Sequence, residues 1–318
     1  MRLGIIGTGK IAQEVLEVIK DFQISKVILS THRSRQKSEK LSQIYNIEKI
    51  YYEYDELLKD KLDTVYVALP NNLHYEFCKK AIESNKNVIV EKPICTNLNQ
   101  LEHLKSLANK NGVFLIEAMN IHHLKALKSI KKDLNKIGNI KTVQLNYTQY
   151  SSRFDDFKKG IIKPVFDPKY NGGALNDLGI YNIHALIYLF GMPKEYKYYP
   201  NINKNIDTSG ILICDYGEFK ATLIAAKDSI GESGILISGE DGYIVSNKAI
   251  NEIDNYDLIY RKRQKENFKF QFSHRLKDEF IDIFKIIKDK DKAKEEDLFD
   301  ISKKAVEMLE NLQIYNLK

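Results

Sequence analysis

The sequence contains few cysteines and no long apolar segment. Its three cysteines, Cys78, Cys95 and Cys214, are an odd number and form no Cys-x-x-Cys pair, so we expect neither a disulfide framework nor a structural zinc site. No run of about 18 apolar residues is present, and the first residues lead into a strand-like segment instead of the apolar stretch of a signal peptide. These absences predict a cytoplasmic protein without a membrane partner.

The sequence also lacks a strong excess of one charge. Its 318 residues include 49 Lys and Arg against 43 Asp and Glu, which gives a formal net charge of +6, and no basic patch is interleaved with aromatic residues. Nucleic acid is therefore not an expected partner. A hydrophobic content of 43% and a charged content of 29% are typical of a folded globular chain, and the length favours about two domains. We expect a small-molecule substrate bound in a cleft.

Up to residue 120 the sequence alternates short apolar segments with helical patterns, which is typical of βαβ units that form a parallel sheet. The candidate strands are residues 3–6, 27–30, 64–69, 88–90 and 113–116. Between the first two, Ile11, Val15 and Ile19 recur at helical spacing. The pattern predicts an α/β fold with an N-terminal Rossmann domain over residues 1–120, whose ligands lie outside the carboxyl ends of the strands.

From residue 121 to residue 318 the pattern changes to strands at hairpin-like spacing, separated by turn residues such as Gly217 and Gly242. The candidate strands are residues 141–150, 211–215, 220–226, 235–238, 243–246 and 257–260, and helices are predicted around residues 123–135, 174–190, 280–287 and 301–312. The charged residues 285–297 are interpreted as a solvated helix end and loop. The pattern predicts a C-terminal α+β domain with an open, mainly antiparallel sheet.

The first predicted strand ends in a glycine-rich turn before a helix. The turn has the sequence Gly7-Thr8-Gly9-Lys10-Ile11-Ala12. In a GxGxxA turn the first glycine permits the tight turn, the second lets backbone approach a pyrophosphate, and the alanine lets helix and strand pack closely. The helix N-terminus also favours the phosphate charge. A purely structural turn is the alternative, but this position within a βαβ chain favours dinucleotide binding.

The end of the second predicted strand indicates which dinucleotide is bound. An NAD-binding domain usually carries an Asp or Glu about 20 residues after the glycines, which bonds the ribose 2′-hydroxyl. This sequence has no acid there and carries Thr31, His32 and Arg33, whose polar and guanidinium groups suit a 2′-phosphate. A basic solvent-facing loop is the alternative interpretation. The pattern favours NADP over NAD.

Two further strands end in polar residues that we expect near the cofactor. One strand runs into Leu69, Pro70, Asn71 and, after two more residues, His74, and the next runs into Glu91, Lys92 and Pro93. A lysine at the carboxyl end of such a strand, followed by a proline that restricts the backbone, indicates a positioned catalytic cation. A surface ion pair between Glu91 and Lys92 is the alternative.

One helix of the second half carries three titratable residues at helical spacing. Asp177, Tyr181 and His184 stand at i, i+4 and i+7 after the pair Gly172-Gly173, so they are expected on one face. Singly, each fits an ordinary role: an acid favoured by the helix dipole, a buried tyrosine and a core histidine. Together they predict an acid/base face.

The adjacent histidines His122 and His123 raise the question of a metal site. Neighbouring residues point in different directions and the sequence offers no third ligand at suitable spacing, so no metal is expected. Cys95, two residues after Pro93, is interpreted as a small buried residue.

In this order and spacing the motifs resemble the Gfo/Idh/MocA oxidoreductases over nearly the whole chain. The resemblance depends on the GxGxxA turn, on Pro70-Asn71 with His74, on Glu91-Lys92-Pro93, on Glu117-Ala118-Met119, on residues 172–179 and on the helix of residues 273–287. It implies a Rossmann domain followed by an open-sheet domain and a homodimer or larger homo-oligomer. It also implies an NAD(P)-dependent dehydrogenase or reductase that acts on CH–OH groups of a sugar, a polyol or a related small molecule.

The resemblance further implies that Lys92, Asp177 and Tyr181 occupy the family's catalytic positions. Tyr181, where many members carry His, resembles the branch of trans-1,2-dihydrobenzene-1,2-diol dehydrogenase and glucose-fructose oxidoreductase, which favour NADP. That branch usually continues its Glu-Ala-Met with Trp-Thr-Arg-Phe, whereas this sequence has Asn120-Ile121-His122-His123, so its substrates are not carried over. A cofactor-binding regulator without turnover and a glycoside hydrolase that uses NAD transiently stay open as alternatives.

Overall fold

The structure, a computed structural model, describes residues 1–262, 264–271 and 273–312. The chain forms two compact units: the first comprises Met1–Ala118 and Leu276–Val306, and the second comprises Met119–Arg275 and the residues from Glu307 onward. A division of the chain into residues 1–120 and 121–318 therefore misses the return of residues 276–306 to the first unit. The physical reason is packing, because Phe280 and Ile283 are buried in the core of the first unit.

The first unit contains a six-stranded sheet whose neighbouring strands are all parallel. Its strands are β1 (Arg2–Ile6), β2 (Ser25–Leu29), β3 (Lys49–Tyr51), β4 (Thr64–Val67), β5 (Asn87–Glu91) and β6 (Leu115–Ala118). They lie in the order β3-β2-β1-β4-β5-β6, which confirms the predicted Rossmann fold. The order reverses between β1 and β4, where sheets of this kind bind ligands. The sequence pattern missed β3, which has three residues and only one fully buried side chain.

Helices pack on the faces of this sheet. They are α1 (Lys10–Val18), α2 (Arg35–Tyr45), α3 (Tyr54–Leu58), α4 (His74–Glu83), α5 (Leu98–Asn111) and, near the end of the chain, α9 (Lys277–Asp289) and α10 (Lys292–Leu312). Strand residues alternate between two cores, with Val65 and Val67 in one and Tyr66 in the other. The carboxyl ends of the strands are therefore held by a core on each side.

The charged residues 285–297 are mostly exposed, as the sequence predicted, and only Ile286 and Glu295 among them are buried. They span the end of α9 and the start of α10, and within them Glu295 is only 1% exposed. Its carboxylate accepts hydrogen bonds from Lys105 Nζ at 3.0 Å, from Lys292 Nζ at 2.8 Å and from the Leu115 amide at 3.2 Å. Two cations and a backbone donor offset the cost of burying this charge, and the sequence carried no signal of this one exception.

The second unit contains an eight-stranded sheet in the order β14-β13-β12-β11-β7-β10-β9-β8. The strands are β7 (Ile140–Thr148), β8 (Glu195–Asn203), β9 (Ile206–Asp215), β10 (Lys220–Ala226), β11 (Gly234–Gly239), β12 (Gly242–Ser246), β13 (Asn255–Tyr260) and β14 (Lys265–Lys269). All neighbours are antiparallel except β7 and β10, which confirms a mainly antiparallel sheet. The edge strands β8 and β14 were not predicted, because most of their side chains are at least partly exposed.

The helices of the second unit are α6 (Lys125–Asp133), α7 (Phe154–Lys158) and α8 (Ile180–Phe190). Nine of the eleven residues of α8 are buried, so this helix belongs to the interior. In β9, Leu212 and Cys214 are buried, whereas Ile211 and Ile213 are 43% and 41% exposed. The sheet therefore has one face in the core and one open face that is rich in apolar side chains.

No helix in the part of the chain that the structure describes is long and apolar enough to span a membrane. The cytoplasmic location stays a prediction.

Candidate active site

The glycine-rich turn after β1 has the backbone that the sequence predicted. Gly7 adopts a φ of +109°, and a Cβ atom there would lie 2.6 Å from the Ala68 carbonyl oxygen, so only glycine fits. Gly9 precedes α1, and a Cβ atom there would meet nothing within 4 Å. Ala12 is fully buried. The space beside Gly9 at the start of α1 is therefore open, which fits the pyrophosphate of a dinucleotide.

The other residues of this turn lie beside that space. Thr8 is half-buried, and its carbonyl oxygen accepts a hydrogen bond from Gln13 Nε2 at 3.2 Å. Lys10 is exposed, and Ile11 packs against the core of the sheet. These contacts fix the turn from the protein side.

The segment after β2 presents polar and basic side chains to solvent. Thr31, His32 and Arg33 are all exposed, and the His32 ring stacks on Tyr52 with ring centroids 4.7 Å apart. Arg35 is held by Glu39 at 2.9 Å, whereas within the described residues no carboxylate pairs with Arg33. The Arg33 guanidinium can therefore bind an anion without first breaking an ion pair.

The strands β4 and β5 end beside each other. Leu69, Pro70 and Asn71 follow β4 and are partly exposed, and Glu91 and Lys92 at the end of β5 are half-buried. The Tyr66 hydroxyl donates a hydrogen bond to Glu91 Oε1 at 2.5 Å, so Glu91 has a partner in the core and is not simply half of a surface pair. The peptide bond between Lys92 and Pro93 is cis.

His74 is placed differently from the sequence expectation that it contacts the cofactor. It is fully buried, with Nδ1 2.8 Å from the Pro93 carbonyl oxygen and Nε2 2.9 Å from the Leu69 carbonyl oxygen. The side chain therefore joins the two loops from inside the first unit instead of lining their surface. The reason is its position at the first residue of α4, directly under the ends of β4 and β5.

Glu117, near the end of β6, belongs to the same buried group. Its Oε1 accepts a hydrogen bond from the Ile94 amide at 2.8 Å, and its Oε2 accepts one from the Ser302 hydroxyl. Burial raises the pKa of Glu117, and the hydrogen bonds and the charges of His74 and Lys92 oppose that shift. The sequence marked Glu117 only as part of a motif and carried no signal of these partners, because they come from distant segments.

In the second unit, Asp177 lies on a π-helical turn, Leu175–Gly179, that precedes α8. The predicted helix over residues 174–190 is therefore present, but its first turns are wider than an α-helix, so the simple i, i+4 and i+7 spacing does not hold there. Buried Asp207 accepts the Leu175 amide at 2.7 Å and fixes this start. Such π-turns occur often at functional sites.

Asp177 forms an ion pair that the sequence did not reveal. Its partner is Lys227, the residue after β10, whose Nζ bonds Asp177 Oδ2. The side chain of Lys227 is 3% exposed and that of Asp177 is 34% exposed. Lys227 Nζ also lies 5.0 Å from the centre of the Phe166 ring. A buried ammonium thus holds a carboxylate that still reaches solvent.

Tyr181 and His184 lie in two different surroundings. Buried Tyr181 packs beside Tyr147, with ring centroids 5.8 Å apart, and the Tyr147 hydroxyl accepts a hydrogen bond from Asn251 Nδ2 at 3.0 Å. His184 Nδ1 lies 3.0 Å from His122 Nε2, and both rings are buried. His184 therefore matches the core-histidine interpretation, while Tyr181 lies beside a second phenol.

The segment Asn120–His123 is buried throughout. Asn120 Nδ2 donates to the carbonyl oxygens of Asn251 at 2.7 Å and Arg275 at 3.1 Å. The residues that replace Trp-Thr-Arg-Phe therefore serve the interior of the second unit.

No group of three His, Cys, Asp or Glu side chains with metal-binding geometry occurs among residues 1–262, 264–271 and 273–312. Cys95 is buried, and burial raises the pKa of its thiol to about 12, so it is not a thiolate nucleophile.

Comparison with known proteins identifies relatives along most of the chain. Residues 1–119 match the model of an oxidoreductase family with an NAD-binding Rossmann fold, and residues 130–245 match the GFO/IDH/MocA C-terminal domain. Scyllo-inositol 2-dehydrogenase (NADP(+)) IolU of Bacillus subtilis is 35% identical over 272 residues, which are 84% of this chain and 82% of the relative. Trans-1,2-dihydrobenzene-1,2-diol dehydrogenase of Mus musculus is 28% identical over 62% of this chain and 58% of its own.

Solved structures share the fold. The 3-ketoreductase KijD10 of Actinomadura kijaniata, crystallised with NADP and TDP-benzene, superposes with a TM-score of 0.85 over 98% of this chain and 97% of its own, at 20% identity. The predicted family is confirmed by the matched models and by the 35% identical relative. The chain belongs to the Gfo/Idh/MocA family and is an oxidoreductase that acts on CH–OH groups.

Proposed function

We propose that this enzyme uses NADP to transfer a hydride between the nicotinamide and a carbinol or carbonyl carbon of a small polyol, sugar or related hydroxylated molecule. The observation that carries the choice of cofactor is Arg33, an exposed guanidinium at the end of β2, where an NAD-binding domain would carry an acid. The NADP(+)-dependent relative with 35% identity supports the same choice.

The proposed substrate class is inferred from the hydride-transfer chemistry and from the relatives of this chain together. The relative with 35% identity is named for scyllo-inositol, a cyclic polyol, and this relationship covers 84% of the chain. The TDP-benzene bound to KijD10 carries less weight, because at 20% identity the similarity shows only the fold. A cyclic polyol is therefore the first substrate to test.

The proposed mechanism divides the reaction between cofactor and protein. A bound nicotinamide supplies or accepts the hydride. Tyr181 exchanges the proton of the substrate hydroxyl through its phenolate form, and Lys92 supplies the catalytic cation of the reaction. A carboxylate alone would disfavour a phenolate, but the ammonium of Lys227 balances the charge of Asp177. Asp177 can therefore orient the reacting groups while its own charge is balanced by Lys227.

The experiment that tests the function measures absorbance at the reduced-nicotinamide band. Purified protein is incubated with NADP⁺ or NAD⁺ and a panel of inositols, sugars and linear polyols, and with NADPH and the corresponding ketones. We expect turnover with at least one cyclic polyol, faster with NADP⁺. Tight NADPH binding with no absorbance change on any compound would instead support a regulator, and cleavage of a glycoside without net reduction would support a hydrolase.

We also propose that the protein forms a homodimer through the open face of the second sheet. A cross-strand row of apolar side chains lies there, formed by Tyr199, Ile211 and Ile224 on β8, β9 and β10. Tyr199 is 51% exposed, and an apolar row of this kind favours burial against a second copy.

Light scattering at micromolar concentration tests the dimer. The substitution Ile211→Lys should yield monomers, whereas Ile230→Lys, at a 92% exposed isoleucine outside the sheet, should leave the assembly unchanged. A monomeric wild-type protein would contradict the proposal.

A further inference from the structure

In the first unit, one peptide group is held at both of its polar atoms by buried side chains. It is the peptide group between Pro93 and Ile94, one residue beyond Lys92. Its carbonyl oxygen lies 2.8 Å from His74 Nδ1, and its amide donates to Glu117 Oε1 at 2.8 Å. The position of this peptide is therefore set by two side chains that come from α4 and β6.

The roles of the His74 ring nitrogens in these contacts depend on which of them carries a proton. Both ring nitrogens face carbonyl oxygens, of Pro93 at 2.8 Å and of Leu69 at 2.9 Å. A carbonyl oxygen only accepts, so both bonds form when both nitrogens carry a proton. A neutral ring would turn one lone pair toward an oxygen.

The hydrogen bonds of Glu117 suit a carboxylate beside a His74 ring that is protonated on both nitrogens. Its two carboxylate oxygens each accept a bond, from the Ile94 amide and from the Ser302 hydroxyl, which suits the ionised form. Burial lowers the pKa of His74 and raises that of Glu117, whereas the opposite charge of each works against these shifts. The positive charge of Lys92 disfavours imidazolium but favours the carboxylate. Cys95 also faces Glu117 and stays a neutral thiol.

We propose that His74 and Glu117 are a positioning pair that clamps the peptide after Lys92 and so fixes the ammonium for proton transfer. The role of Lys92 rests on the proposed function. Neither His74 nor Glu117 is expected to touch substrate or cofactor, because both are buried and their described bonds are to the protein. A displacement of about 1 Å at a reacting group can cost about 100-fold in rate, so the clamp matters for catalysis.

The kinetic test compares His74→Gln with a matched core variant. His74→Gln can donate to only one of the two carbonyl oxygens, and we expect kcat to fall by about 10- to 100-fold. Ile82→Ala removes a fully buried side chain eight positions further along the same helix, and we expect a lower melting temperature with kcat unchanged. Equal losses of kcat in both variants at equal melting temperature would show a merely structural role and overturn the proposal.

Two measurements need no substrate and separate the clamp from the proposed function. In long-range ¹H–¹⁵N NMR spectra of the wild-type protein, both ring nitrogens of His74 should carry protons, and the Ile94 amide should exchange at least tenfold faster in His74→Gln, while the Leu101 amide in α5 is unchanged. A single ring proton, or unchanged Ile94 exchange, would overturn the clamp. No turnover on any compound together with these two signatures would contradict the proposed function alone.

If His74→Gln does not fold, Ser302→Ala replaces it in both tests. This variant removes the hydroxyl that bonds Glu117 Oε2 and leaves His74 in place. We expect a smaller fall in kcat and a smaller rise in Ile94 exchange, and no change in either would overturn the proposal.

Discussion

The two units hold their functional side chains in different ways. In the first unit, His74 and Glu117 bond backbone atoms of the loops that carry Leu69 and Lys92. In the second unit, the carboxylate of Asp177 is held by another side chain, Lys227. We therefore expect that Lys92 can be replaced without moving its loop, whereas a change at Lys227 alters the position of Asp177 directly.

The largest expected effect tests whether both regions serve one chemical step. Lys92→Met and Tyr181→Phe should each lower turnover by about 10²- to 10⁴-fold, the usual worth of a general acid or base, while NADPH affinity stays near that of the wild type. This corresponds to about 3 to 5 kcal/mol of activation free energy. If both groups act in the same chemical step, the double mutant should be scarcely slower than either single one.

Steady-state kinetics on a substrate from the panel, with NADPH titrations beside them, provides this measurement. Additive losses in the double mutant, or a Tyr181→Phe enzyme within about threefold of the wild type, would remove Tyr181 from the mechanism.

The second effect tests the side-chain contact of the second unit. Lys227→Met removes the buried ammonium from Asp177 and should lower kcat by about 100-fold, since the carboxylate loses its fixed position and its charge balance. In an Asp177→Asn background the same change should add little, because the ion pair is already lost. A full additional loss in that background, measured by the same assay, would show that Lys227 acts independently of Asp177.

The third effect concerns Arg33, an exposed side chain that is positioned neither by bonds to its loop nor by an ion pair among the described residues. Arg33→Ala should weaken NADPH binding by about 1.5 to 3 kcal/mol, the usual worth of a hydrogen bond to a charged group, and should leave NADH binding unchanged. Arg35→Ala is the matched control, because that guanidinium is engaged by Glu39. Fluorescence titration gives both affinities, and equal binding of NADPH and NADH by the wild type would contradict the prediction.

The smallest effect concerns Arg2 and Asp60, a side-chain pair of the first unit that lies away from the loops after β4 and β5. The hydrogen bond from Arg2 lowers the pKa of the Asp60 carboxyl from 3.8 to about 2. Because the folded-state pKa is depressed, this contribution to stability is complete above about pH 4 and is lost as the pH falls toward 2. Asp60→Asn should therefore cost about 1 kcal/mol or less near neutral pH and flatten the acid side of the stability curve.

Urea unfolding between pH 2 and pH 7 measures this change, and kcat should not move. A loss of turnover in Asp60→Asn would show that side-chain pairs matter for catalysis in the first unit too, which would break the comparison.

Features that depend on local backbone geometry could be predicted from the sequence alone. The turn at Gly7 needs a positive φ that only glycine adopts there, and the apolar periods of the first 120 residues allow little but a parallel sheet with helices. The acid missing near Arg33 was equally visible. Short or half-exposed strands such as β3, β8 and β14 were not, because their burial pattern is weak.

The amino-acid sequence alone was enough to predict the family from the order of its motifs and the Rossmann turn from its glycines, and it supplied the proposal that Lys92, Asp177 and Tyr181 are catalytic. The folded structure was needed to show that His74 bonds Pro93, that Lys227 bonds Asp177, that Glu295 is buried and that α9 packs in the first unit. These partners are far apart along the chain. Asp177 and Lys227 are 50 positions apart and Glu117 and Ser302 are 185 apart, so only the folded backbone brings donor and acceptor together.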